Sequence, residues 1–304
     1  MILITGARGF IGSNLVTCLE AGGNIVLQLS RSDSFKKDAS HLFLDLTSKD
    51  HLRHLKSLDI RPDTVIHLAG HIEISLKANP INPAHAPVPG PEDLPAIYRS
   101  NILATVNLIE FCREASVKHI IFASSQAVYG LPPTERITEE TPCNPLEHYA
   151  LSKECCEKIL RLVVSDGIAV TIFRFPGVYS EMRDTGTVAR FCQSALRYKL
   201  IRVTADLPLP FDVIHLEDVL NAFSCALATE PKKYEIYNIA TGEPASLNLL
   251  ADRIAGLVPG CRVEHAACPQ PVIRIDPAKA ERRYAWKAVP SQVRLQQVLD
   301  SVQL

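Results

Sequence analysis

The chain has 304 residues, enough for one large α/β unit or two interlocked lobes. Its 32 basic and 33 acidic residues leave a formal net charge of -1, so nothing draws it toward nucleic acid or an anionic membrane, and its partners are read locally. Nine scattered cysteines show no CxxC pair and no zinc-like spacing, and no apolar run reaches the roughly 18 residues of a membrane helix. The expectation is a cytoplasmic protein with reduced thiols and no metal.

In chain order, short β-branched or leucine-rich runs alternate with helical patterns. "ILIT", "IVLQL", "HLFL", "TVIHL", "HIIFA" and "AVTIFRF" read as strands, with helices predicted over 14–21, 49–58, 97–114 and 147–164. Strands apolar on both faces and separated by helices predict an α/β fold with a doubly wound parallel (Rossmann) sheet. The opening "MILITGARG" begins that sheet with no charged, apolar leader ahead of it. The segment 79–95 carries six of the 21 prolines and predicts a loop excursion. Beyond Phe175 the pattern loosens, with helices over 187–198, 218–228 and 247–257 and Asp218 as an N-cap. The predicted division is a dinucleotide-binding domain of 1–175 plus about 211–241, and a smaller substrate lobe of about 176–210 plus 242–304.

The turn "TGARGFIG" places Gly6, Gly9 and Gly12 between the first strand and the first helix. Glycine there lets backbone N–H groups and the positive helix end approach an anion, as a dinucleotide diphosphate requires. The second strand ends in "NIVLQLSRSD". Ser30 and Arg31 there, with Arg8 in the glycine turn, favour the 2′-phosphate of NADP; the alternative is NAD, with Asp33 on the ribose hydroxyl.

In "HYALSKECCEK" Tyr149 and Lys153 stand four apart, on one helix face. A nearby ammonium favours the phenolate, so the pair suits carbonyl/alcohol interconversion. "IIFASSQAVYG" ends a strand at Ser124 and Ser125, where a hydroxyl can hold the same substrate oxygen.

With these motifs in this order, the chain resembles the extended short-chain dehydrogenase/reductase family, which includes sugar-nucleotide epimerases, dehydratases and 4-ketoreductases. "FLDLTS", "VIHLAG", "NILATVNLIE", "FRFPGVYS", "FDVIHLEDV", "YNIATGEPASL" and "DPAKAERRYAW" extend the likeness nearly end to end. The resemblance implies Tyr149 as acid–base, Lys153 as the ribose anchor that tunes it, and Ser125 as their polar partner. It also implies a cofactor lining of Phe10, Ile11, Asp45, Leu46, Leu68, Ala69, Gly70, Asn101, Pro176 and Val178, and substrate contacts at Gln126, Gly177 and Arg190. His67 reads as a packed histidine.

Dehydrating members resemble one another in carrying an Asp-Glu pair where this chain has Gln126 and Ala127, whose side chains exchange no protons near neutral pH. The expectation is therefore NADPH-dependent 4-keto reduction of a nucleotide-activated sugar, with 4-epimerisation on tightly bound NAD as the alternative and a non-catalytic sensor as a remote one. The family's usual diphosphate arginine is replaced by Phe211 ahead of Asp212, and Arg274 stands close to Asp276. A clamp would have to come from Arg183, Arg190, Arg197 or Arg202. The apolar faces of "ILATVNLIEFC" and "ECCEKILRLVV" serve either a homodimer or internal burial.

Overall fold

The computed structural model describes residues 1–32, 36–38, 40–72, 94–204, 210–265, 268 and 271–302. Asp33, the turn 205–209 and all but the last two residues of the proline-rich segment lie outside the described residues.

The first half runs β1 (Ile2–Thr5), α1 (Phe10–Ala21), β2 (Val26–Ser30), β3 (Lys36–Asp38), β4 (His41–Phe43), α2 (Lys49–Ser57), β5 (Thr64–His67), α3 (Leu94–Tyr98), α4 (Ala104–Glu114), β6 (His119–Ser125), β7 (Arg136–Ile137) and α5 (His148–Leu162). The second runs β8 (Ala169–Phe175), β9 (Gly177–Tyr179), α6 (Thr187–Tyr198), β10 (Leu200–Arg202), β11 (Val213–His215), α7 (Leu216–Leu227), β12 (Tyr234–Asn238), α8 (Leu247–Leu257), β13 (Arg262–Glu264), β14 (Arg274–Ile275), α9 (Ala278–Tyr284) and α10 (Ser291–Ser301).

Eight strands form one sheet in the order β12-β8-β6-β5-β1-β2-β4-β3, parallel except where β3 meets β4. Because side chains alternate along a strand, adjacent residues feed opposite layers. Leu3, Val65, Ile120 and Ile172 face Leu108 and Phe111 of α4 and Leu160 of α5. Their neighbours Ile4, Ile66, Ile121 and Phe173 face Leu15 of α1 and Val219 and Phe223 of α7. The apolar faces of α4 and α5 are thus largely spent inside the chain. A third core joins α6, α8 and α10 through Phe191, Ala195, Leu250, Ile254, Leu295 and Val298.

The chain order turns back at β1, which pairs with β2 on one side and β5 on the other. In such sheets the crevice beyond the carboxyl ends at that point receives ligands. No helix among the described residues is long and apolar enough to cross a membrane.

Three expectations are corrected. The first helix starts at Phe10, four residues early, because Gly9 serves as its N-cap. The helix predicted over 97–114 begins at Leu94 and passes through a π-helical turn, Arg99–Leu103, before α4. Asp218 caps nothing: α7 begins at Leu216, and its cap is His215, whose Nδ1 accepts from the Glu217 amide at 3.3 Å. Asp218 lies in the first turn and pairs with Arg294 at 2.9 Å.

Candidate active site

A cleft of 570 Å³ opens at the carboxyl ends of the strands. Its floor is the glycine turn. Gly6 holds φ at 71°, and a Cβ there would sit 2.8 Å from the Ala69 amide nitrogen; at Gly12 it would sit 2.2 Å from the Gly6 carbonyl oxygen. At Gly70 an added Cβ would stand 3.2 Å from Lys153 Nζ. At Gly6 and Gly12 backbone thus excludes any side chain, leaving the open floor that close approach of a diphosphate would need. The amino end of α1 has no side-chain cap and no acidic residue in its first turn, which leaves its N–H groups for an anion. These residues fit a dinucleotide. Phe10, Ile11, Leu68, Pro176 and Val178 line the same cleft.

Asn101 is buried and holds the segment after β5 rather than the cleft. Its Oδ1 accepts from the His71 amide at 2.6 Å, and its Nδ2 donates to the His71 carbonyl at 3.0 Å and to Ser152 Oγ at 2.8 Å. Thr5 Oγ1 accepts from the Ala69 amide at 3.1 Å and contacts His67 Nδ1 at 2.6 Å. His67 is fully buried, with Thr105 Oγ1 3.0 Å from Nε2; burial, then the charge of Lys153, pulls its pKa down to about 3. It is a neutral packing group.

At the far end of the nucleotide path, Arg31, Asp45, Leu46, Thr47 and Ala69 line a cavity of 190 Å³. Arg31, Asp45 and Thr47 continue into a second of 340 Å³ with Arg99 and Ser100. Arg8 packs over the Phe43 ring at 4.8 Å; His41 stacks on Phe43 at 4.0 Å, and its Nε2 lies 3.0 Å from Ser30 Oγ. Arg8 and Ser30 thus belong to one polar–aromatic stack beside Arg31.

At the reactive end, β6 delivers Ser124 and Ser125 and α5 delivers Tyr149 and Lys153, all lining the cleft. Lys153 is buried; its Nζ donates to the Ala123 carbonyl at 2.9 Å and stands 4.7 Å from the Phe122 ring centroid and 5.8 Å from that of Tyr149. Burial lowers its pKa to about 8. The Tyr149 phenol is displaced upward, by burial first and by the Glu147 charge second, and only a hydrogen bond with Ser125 opposes this. Burial favours the neutral form of both side chains in the empty cleft.

Ser124 donates to Glu157 Oε1 at 2.5 Å, and Glu157 pairs with Arg174 at 2.6 Å, both carboxylate and guanidinium being buried. This ties β6, α5 and β8 together beneath Tyr149 and Lys153. Gln126 and Ala127 line the cleft, and Gln126 Oε1 is buried with no partner among the described residues. Gly177 also lines it. Arg190 does not: its Nη2 donates to Thr187 Oγ1 at 3.4 Å. Arg202 pairs with Glu264 at 2.7 Å, and of the four candidate clamp arginines only Arg183 is among the described lining residues. Sequence reasoning passed over Ile72, Thr187, Val188 and Val213 in the cleft and Arg99 in the cavity beside Arg31; most of these stand at the first positions of an element, where no periodicity shows which side chains folding brings to a cleft. No cluster of His, Cys, Asp or Glu among the described residues could hold a metal ion.

A profile of the NAD dependent epimerase/dehydratase family matches residues 2–240. A putative UDP-glucose 4-epimerase of Methanocaldococcus jannaschii is 32% identical over 265 residues, 84% of this chain and 81% of that one. Among solved structures, a UDP-glucose 4-epimerase of Thermus thermophilus in complex with NAD is 27% identical with a TM-score of 0.77, covering 99% of this chain and 98% of that one. MoeE5, in complex with UDP-glucuronic acid and NAD, is 26% identical at the same TM-score and the same coverage. With a profile spanning most of its length and a relative at 32% identity, the chain belongs to the NAD-dependent epimerase/dehydratase family, of the extended short-chain dehydrogenase/reductase type.

Proposed function

We propose that the protein is a nucleotide-sugar 4-epimerase, acting on a uridine-diphosphate sugar. The observation that carries this reading is the convergence of Ser125, Tyr149 and Lys153 on one cleft whose described lining holds no carboxylate. A nicotinamide dinucleotide in the cleft would supply the acceptor and donor of hydride at the sugar carbon. Tyr149 would act as phenolate in the first half-reaction, taking the C4 hydroxyl proton as the alcohol becomes a ketone, and as phenol in the second, returning that proton as the alcohol is remade on the other face, with Ser125 holding the same oxygen. Lys153 holds the ribose side and, fixed on the Ala123 carbonyl, keeps Tyr149 in register. Water elimination needs a further acid and base, which Gln126 and Ala127 cannot provide. The UDP-glucose 4-epimerases among the relatives and the UDP-sugar complex of MoeE5 support the substrate class. The nucleotide is assigned to the lobe of about 176–210 plus 242–304.

A second reading, NADPH-dependent 4-keto reduction, draws on one specific observation. Arg31 and Arg99 line one cavity with Asp45, and Arg8 packs on Phe43 close by, so cations outnumber the one carboxylate beyond the ends of β2 and β4, a setting suited to a 2′-phosphate. Mass spectrometry of the small molecules released on denaturation, together with UDP-glucose/UDP-galactose interconversion without added cofactor, separates the two. Bound dinucleotide and interconversion support the epimerase. An empty protein that consumes NADPH only with a 4-keto-sugar nucleotide supports the reductase. A homodimer is proposed on Leu151 and Leu162, the leucines of α5 left exposed outside its packed face; light scattering should then read twice 33.5 kDa.

A further inference from the structure

Arg183 takes no part in proton exchange, yet it reaches the glycine turn from the opposite wall of the cleft. Its guanidinium carbon stands 4.9 Å from the ring centroid of Phe10, the first residue of α1. The side chain is held from behind by neutral groups: Nη1 donates to the Val178 carbonyl at 3.2 Å, and Nε to Thr185 Oγ1 at 3.4 Å. Neither acceptor carries a charge, and Arg183 forms no ion pair among the described residues. The nearby Glu181 is engaged by His215 at 2.9 Å. Arg183 and Lys153 are the charged residues among the described cleft lining, and both are cations.

A guanidinium kept planar over an aromatic ring, with an edge left unused, is set to accept the oxygens of a phosphate. We propose that Arg183 latches the diphosphate of the bound dinucleotide, closing over it from the loop after β9 while the glycine turn and the amino end of α1 hold it from below. This rests on the reading of the cleft as a dinucleotide site, and it deepens the epimerase assignment, since that reaction requires a cofactor retained from one turnover to the next. The substrate's diphosphate offers the same chemistry, but the ring beneath Arg183 belongs to the glycine-turn helix, which favours the dinucleotide.

The test compares full-length parent, Arg183→Met, Arg183→Lys and Arg202→Met, the last removing a charge outside the described cleft lining. Dinucleotide content per chain after gel filtration is measured, with the dissociation rate of NADH and NADPH by stopped-flow fluorescence and UDP affinity by calorimetry. Arg183→Met should release dinucleotide at least tenfold faster and emerge depleted, Arg183→Lys should fall between it and the parent, and Arg202→Met should match the parent. UDP affinity should change less than threefold. Unchanged dissociation in Arg183→Met overturns the latch, as does a loss confined to UDP, which would assign Arg183 to the substrate. If Arg183→Met does not fold, Arg183→Lys decides: parental dissociation there overturns the proposal. A parent that epimerises while Arg183→Met retains its dinucleotide removes the latch and leaves the proposed function standing; a parent that binds no dinucleotide removes both.

Discussion

Lys153 carries the sharpest consequence at the scale of one residue. Its folded pKa of about 8 lies below the ordinary 10.5, because burial disfavours the ammonium. Between those two values the unfolded chain holds a proton that the folded chain has released, so this site's contribution to stability rises with pH across the window. Below pH 8 the buried charge costs roughly 3 kcal/mol, less what the Ala123 hydrogen bond returns. In the dinucleotide-free protein, Lys153→Met should therefore be more stable than the parent at pH 7 by urea unfolding, and the gap should close as pH rises from 8 to 10.5. A gap constant over that range would contradict the assignment. The positions of Tyr149 and Lys153 were legible from their four-residue spacing alone. The direction of the phenol's pKa was not, since it depends on how deeply β6 and α5 bury it and on Glu147, two residues earlier but adjacent in space. Arg8 was legible as a residue of the nucleotide end, but its packing on Phe43 needed the pairing of β2 with β4.

Among the elements, the β1–α1 turn shows how closely backbone is fitted to purpose. Gly12→Ala would push a methyl group to 2.2 Å from a backbone carbonyl that cannot step aside, whereas Gly23, at φ 81°, has nothing within 4 Å of an added Cβ. Gly12→Ala should cost roughly 2–4 kcal/mol and abolish dinucleotide binding, while Gly23→Ala should cost only about 1–2 kcal/mol of backbone strain and leave binding intact. Thermal melts and titration of the cofactor distinguish them; equal effects would mean that the turn tolerates opening. The glycine motif and the six predicted strand runs were readable because apolar runs and turn chemistry are local. The short pairs β9–β11 and β10–β13 were not: each strand has three residues, too few for any period to show. The start of α7 was missed for a similar reason, since a histidine cap resembles strand sequence.

For the molecule as a whole, the C-terminal helix is fastened to the sheet layer by charge as well as by its apolar face. Arg294 of α10 pairs with buried Asp218 and with Glu217 of α7. Removing the cation strands a buried carboxylate, so Arg294→Met should cost about 3–5 kcal/mol, and adding Asp218→Asn should recover part of it. A double variant that loses the full sum of the Arg294→Met and Asp218→Asn costs would show the pair to be uncoupled. Sequence periodicity revealed α6 and α8 residue for residue, but not that they share a core with α10, because that association is long-range. The doubly wound sheet and the shared helix face of Tyr149 and Lys153 were legible in the same sequence, whereas the choice among reactions was not, since it turns on how firmly the cleft would keep its cofactor. The most direct test of the proposed epimerisation uses UDP-glucose deuterated at C4, with purified parent and Tyr149→Phe and no added dinucleotide. The account predicts UDP-galactose that keeps the deuterium at C4, and a loss of at least a hundredfold in rate on removing the phenol. Absence of conversion by the parent, loss of the label, or a parental rate in Tyr149→Phe would contradict it.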